Sequence, residues 1–170
     1  MRRLFRFPNP VNEIAARTVA AGVLVQSLLF VVTAWRWLIV PLAFGFVARV
    51  ASGPTFSPLG RVATQVVVPR LRVAPRFVPG PPKRFAQGIG AVLSVGGLVA
   101  VVAGSVGLAR LIVGAIVVAA SLEAGLGLCL GCVIFRWLMR AGVVPSTVCE
   151  ACGDVRGRLE TALAAKAHAG

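Results

Sequence analysis

Long apolar blocks alternate with short basic segments along this chain. Four blocks contain few charged side chains: residues 14–34, 38–51, 85–106 and 108–135. A helix rises about 1.5 Å per residue, so about 20 apolar residues cross the hydrocarbon core of a bilayer. Three blocks reach that length, and we interpret the fourth, residues 38–51, as a short crossing. The pattern predicts an all-α polytopic membrane protein with four transmembrane helices in a membrane domain at residues 14–140.

The segments outside the blocks are polar or rich in proline. We expect an N-terminal arm at residues 1–13, one long basic loop at residues 52–84, and a C-terminal tail at residues 141–170. Ser57-Pro58 is typical of a helix start, and the apolar side chains that follow recur at helical spacing. The loop is therefore expected to hold a short amphipathic helix on the membrane surface, followed by an extended, proline-rich tether.

The net charge of the chain is strongly positive, with 18 Lys and Arg against 5 Asp and Glu. A basic protein can bind nucleic acid, but these charges fall between the apolar blocks and in the tails, as in the cytoplasmic loops of membrane proteins. We therefore expect no nucleic-acid partner, and we expect both termini in the cytoplasm. Residues 49–84 are expected to contact anionic lipid headgroups. The first block is too long for a cleaved signal peptide, so we interpret it as a retained span.

The four cysteines form two pairs with identical spacing. Cys129-Leu-Gly-Cys132 is followed after sixteen residues by Cys149-Glu-Ala-Cys152. This separation is typical of a four-thiolate zinc site, in which all four cysteines bind the metal. It also suits a redox dithiol, with Cys129 and Cys132 as the working pair and Cys149 and Cys152 as a relay or resolving pair. A third interpretation is that the cysteines are small apolar packing residues.

Other polar residues in the apolar blocks are candidates for a site. Glu123 is a carboxylate within the last block, and it is expected either to carry protons or pair with a cation, or to be a neutral acid hydrogen-bonded to a neighbouring helix. We expect that block to form one helix through Cys129 and Cys132. The C-terminal dipole of such a helix raises thiol pKa values, and Arg136 is the expected compensating cation. Gln26 is expected to make an interhelical hydrogen bond.

Four segments resemble one known family. The stretches NPVNEIAARTVA (9–20), FSPLGR (56–61), PPKRFAQGIG (81–90) and LEAGLGLCLGC (122–132) are similar to an uncharacterised family of bacterial four-helix membrane proteins, known only as a domain of unknown function. The resemblance implies a bacterial inner-membrane protein and a functional Cys129/Cys132 pair, but it supplies no reaction. Within the third segment, Lys83 and Arg84 are expected to anchor the third span at the cytoplasmic headgroups.

Three hypotheses of function follow. The first is thiol–disulfide or sulfur-relay chemistry at the cytoplasmic face, with a soluble thiol-redox or sulfur-carrier protein as partner. The second is a structural or regulatory subunit of a membrane complex, whose four cysteines bind zinc and dock a partner protein. The third is a small transporter, supported only by Glu123 and Gln26. The chain has no Ser-His-Asp set and no phosphate-binding glycine loop, so hydrolase and kinase chemistry have no support.

Overall fold

The helices of this protein form one bundle with a short β-pair at one end. The structure is a computed structural model that describes residues 9–71, 76–145 and 148–149. In chain order its elements are β1 (Val11–Asn12), α1 (Glu13–Thr33), a 3-10 turn (Arg36–Leu38), α2 (Ile39–Ser52), α3 (Pro58–Arg61), a π-helical segment (Val62–Val67), α4 (Val68–Leu71), β2 (Phe77–Val78), α5 (Gly80–Val102), α6 (Val106–Ser121), a second π-helical segment (Leu122–Leu126) and α7 (Leu130–Arg140). The predicted all-α class is confirmed.

Three helices within the described residues are long and apolar enough to cross a membrane. They are α1, α5, and α6 together with the π-helical segment that continues it to Leu126. Large apolar side chains on these helices point outward; Leu111 is 76% exposed and Val92 is 73% exposed. Such a surface suits lipid and not water, which indicates a membrane protein. The short span predicted at residues 38–51 corresponds to α2. This helix has 14 residues and is not among the three candidate spans.

Close helix packing around α5 forms the core. Helix α5 packs against α2, α6 and α7, and α1 packs against α6. A Cβ atom on Gly90 would lie 2.1 Å from the Phe46 ring, and one on Gly97 would lie 3.0 Å from Ile39 Cδ1. Only glycine allows such close approach of the neighbouring helices.

The predicted helix starts agree with the structure, with one shift. Asn12 Oδ1 accepts a hydrogen bond from the backbone N–H of Ile14 at 2.9 Å, and Ser57 Oγ accepts one from Gly60. Both side chains act as N-caps, and the helix start predicted at Ser57-Pro58 is confirmed. Helix α5, however, begins at Gly80 and not at residue 85. Proline is tolerated in a first helical turn because those N–H groups have no intrahelical partner, so the two prolines there start the helix.

The last apolar block is not one continuous helix, and that prediction is wrong. The π-helical segment ends at Gly127, which has φ of +70°, and α7 starts after Cys129, its N-cap residue. Glycine reaches this left-handed conformation without the steric cost that other residues meet. The break places the first cysteine pair at the beginning of a helix instead of near the end of one.

Candidate functional site

The first cysteine pair lies at the N-terminus of α7, outside the three candidate spans. Cys129 and Cys132 are free thiols; Cys129 is buried and Cys132 is partly exposed. The helix N-terminus carries the positive end of the helix dipole, which favours a thiolate. The expectation that a helix C-terminus would oppose thiolate formation is therefore reversed.

The two thiols are unequal because one donates to the other. A hydrogen bond from the Cys132 thiol to Cys129 Sγ lowers the pKa of Cys129 below its ordinary value of 9.0. Burial and the Glu123 carboxylate oppose this shift in pKa, while the Lys83 ammonium and the backbone N–H of Cys132 add to it. The same hydrogen bond raises the pKa of Cys132. Cys129 is thus the better thiolate and the better leaving group of the pair.

A buried ion pair stands beside the thiols. Lys83 Nζ in the first turns of α5 donates to Glu123 Oε1 in the second π-helical segment, at 2.5 Å. The sequence placed Lys83 at the lipid headgroups, but its residue is only 7% exposed, so that expectation is wrong. Glu123 is thus paired with a cation, as the first of its two expected roles has it. Lys83, not Arg136, supplies the cation near the thiols.

Arg49 was not recognised as a site residue from the sequence. Its guanidinium is 4% exposed; Nε donates to Gln87 Oε1 at 2.8 Å and Nη1 donates to Ser57 Oγ at 3.0 Å. The group also lies over the Phe46 ring, 4.5 Å from its centroid. A signal was present: Leu42, Phe46 and Arg49 recur at helical spacing, so they share the face of α2 that turns inward. Arg49 fixes the side chain of Gln87 between α2 and α5.

A cavity of about 250 Å³ lies inside the bundle, beside Glu123 and Cys129. Helices α1, α5, α6 and α7 form most of its wall, with Phe46 of α2. Its lining is apolar apart from the side chains of Gln87, Glu123 and Cys129. Glu123 and Cys129, which the sequence did not place on a common face, therefore meet on one cavity wall. Part of the rim is exposed on the outside of the bundle, at Ala115 and Ile134.

Two polar contacts hold the ends of the helices around the site. Arg17 Nη2 donates to the carbonyl oxygens of Ala124 at 3.2 Å and Gly125 at 2.8 Å, which stabilises the end of the second π-helical segment. At the other end, Gln26 Nε2 donates to the Leu38 carbonyl at 3.3 Å, as predicted for a structural hydrogen bond between neighbouring elements.

The second cysteine pair is described only in part. Cys149 is buried and disulfide-bonded, whereas the first pair is reduced. Cys152 lies outside the described residues. In the part of the chain that the structure describes, no three Cys, His, Asp or Glu side chains are grouped to hold a metal ion. The four-thiolate zinc site therefore stays a prediction.

Comparison with known proteins gives one match. The model of a family described as a domain of unknown function (DUF4395) matches residues 11–140. No curated protein matches the chain. No solved structure matches it either. The matched region contains Lys83, Glu123, Cys129 and Cys132 and ends before the second cysteine pair. The family resemblance inferred from the sequence is thereby confirmed.

Proposed function

We propose, for a chain that belongs to the DUF4395 family, that the Cys129/Cys132 dithiol carries out thiol–disulfide exchange at the membrane surface. One observation carries the proposal: Cys129 is the N-cap residue of α7, Cys132 follows in the first turn of that helix, and the buried Lys83 ammonium acts on both thiols. A helix N-terminus and a nearby cation are the two features that make a cysteine reactive. A purely packing role for the pair requires neither of them.

The exposure of the two sulfurs sets the direction of exchange. Cys132 is the more exposed residue of the two, so a thiolate of a soluble protein attacks Cys132 when the pair is oxidised. Cys129 then leaves as the thiolate, which its lowered pKa favours. A second thiolate of the same soluble protein then attacks the partner's own sulfur in the mixed disulfide, and Cys132 leaves. The electron donor is thus a soluble dithiol protein, which ends as a disulfide while Cys129 and Cys132 are both reduced.

The same proposal includes four crossings of a bacterial inner membrane, with both termini in the cytoplasm. In the bundle, Arg17, Arg49 and Lys83 lie at the end that holds the cysteine pair, and Arg36 and Arg110 lie at the other. This asymmetry matches the excess of basic residues found on the cytoplasmic side of membrane proteins. Helix α2 returns the chain between these ends as a short crossing.

Redox titration of the purified full-length protein tests the proposed exchange. The protein is equilibrated in detergent with graded ratios of reduced to oxidised dithiothreitol, alkylated, digested and analysed by mass spectrometry. We expect a reversible Cys129–Cys132 disulfide, lost in Cys129→Ser and kept in the matched control Cys149→Ser.

Two results would contradict the proposal. One is a pair that stays reduced in every buffer although the protein is folded. The other is one zinc ion per chain with all four thiols protected from alkylation, which would favour the regulatory subunit instead.

A further inference from the structure

The apolar cavity beside Cys129 has no role in thiol–disulfide exchange with a soluble protein. We infer that it binds the head group of a lipid-soluble quinone, which takes the electrons of the Cys129/Cys132 dithiol. This inference rests on the proposed thiol–disulfide exchange and adds to it the electron acceptor.

The size and the lining of the cavity both suit the ring of a quinone head group. Ligand pockets usually span roughly 300–1,000 Å³, so a cavity of about 250 Å³ accepts a small, flat head group. Its wall is mostly alanine, valine, isoleucine and leucine, from which a strongly hydrated ligand gains little. The exposed rim at Ala115 and Ile134 opens among apolar side chains, where an isoprenoid tail can remain in lipid.

The cavity also offers a hydrogen-bond donor at a fixed place. Gln87 lines it, and Arg49 Nε donates to Gln87 Oε1, which orients the amide. Among the described residues, the Gln87 Nε2 group makes no hydrogen bond, so it is available to donate to a quinone carbonyl. An apolar pocket with one oriented donor is the usual arrangement for binding a neutral carbonyl compound.

The two thiols face different surroundings. The electron acceptor therefore reacts at one cysteine and the electron donor at the other. Cys129 lines the cavity and is only 8% exposed, so a large soluble protein does not reach its sulfur. Cys132 is partly exposed and does not line the cavity. Electrons therefore enter from a soluble dithiol through Cys132 and leave toward the membrane through Cys129.

The reaction balances without any further reagent. The two S–H bonds of Cys129 and Cys132 break and one S–S bond forms, which releases two electrons and two protons. The quinone takes both electrons and both protons, and its two carbonyl oxygens become hydroxyl groups. Glu123 lies on the cavity wall and its charge acts on Cys129, so among the described residues this carboxylate is placed to pass a proton between sulfur and oxygen.

Duroquinone, whose methylated ring resists lasting thiol addition, is the probe for this inference. The reduced full-length protein in detergent is mixed with it, and quinone absorbance and remaining thiols are followed together. We expect one quinol for each Cys129–Cys132 disulfide. Ala20→Leu fills the cavity and slows this reaction about tenfold or more. The matched control Ala21→Leu, on the exposed side of α1, reacts like the wild type.

A parallel reaction with diamide, a small soluble oxidant, distinguishes failure of the quinone site from failure of the exchange proposal. If diamide oxidises the pair but duroquinone does not, or if Ala20→Leu reacts as fast as wild type, the quinone site is wrong and the exchange proposal stands. If neither oxidant forms the disulfide, the exchange proposal itself fails. Should Ala20→Leu be unstable, Ala119→Leu fills the same cavity from α6 and gives the same test.

Discussion

Removing one partner of the buried ion pair should destabilise the protein strongly. Lys83 Nζ and Glu123 Oε1 are 2.5 Å apart, and their side chains are 9% and 15% exposed. At an effective dielectric constant of about 20, two unit charges at that distance attract by roughly 7 kcal/mol, which largely offsets the cost of burying both ions. Lys83→Met leaves the Glu123 carboxylate buried without its cation. We expect the free energy of unfolding to fall by about 3–5 kcal/mol.

The assay is unfolding in mixed micelles with increasing dodecyl sulfate, followed by tryptophan fluorescence. The double variant Lys83→Met/Glu123→Gln removes both charges, so it should lose less stability than the sum of the two single variants. Arg136→Met is the control: Arg136 is exposed on α7, so its loss should cost about 1 kcal/mol or less. Single variants that cost under about 1 kcal/mol, or strictly additive losses, would refute the importance of the pair.

Two further predictions concern the thiols and the packing of α7. Cys132→Ala removes the thiol that donates to Cys129, so the pKa of Cys129 should rise and its alkylation, measured by mass spectrometry across pH, should shift to higher pH; an unchanged profile would contradict the hydrogen bond. Gly131→Ala places a Cβ 2.4 Å from Ala86 Cβ, so it should cost about 1–3 kcal/mol in the same unfolding assay. The control Gly88→Ala, where a Cβ meets nothing within 4 Å, should be neutral or stabilising by about 1 kcal/mol, and equal stability of the two variants would argue against the close contact.

The site was predicted in its cysteines and its carboxylate but not in its cations. Cys129, Cys132 and Glu123 stand out in the sequence because they interrupt an apolar block. Lys83 does not, because a basic residue at the start of a span is most simply an anchor at the headgroups. Its burial depends on Glu123, forty residues away in the chain, and no local pattern reports a contact at that separation.

The burial of Arg49 could not be predicted from the sequence either. By its place in the sequence, Arg49 belongs to the basic segment 49–84. Its spacing from Leu42 and Phe46, however, puts it on the face of α2 that is buried in the bundle. Spacing alone does not identify the partners that make burial of an arginine tolerable. Those partners, Gln87 and Ser57, come from α5 and from the loop before α3.

The sequence by itself determined the membrane character, the helical class and the helix start at Ser57-Pro58, because hydropathy, length and capping are properties of neighbouring residues. Only the tertiary structure decided where the last block breaks. Nothing in hydropathy marks Gly127 as left-handed, and nothing local shows that after this residue α7 packs onto α5, with Gly131 against Ala86. The break turns the cysteine pair from the end of one helix to the start of another, and so reverses the field that acts on its thiols.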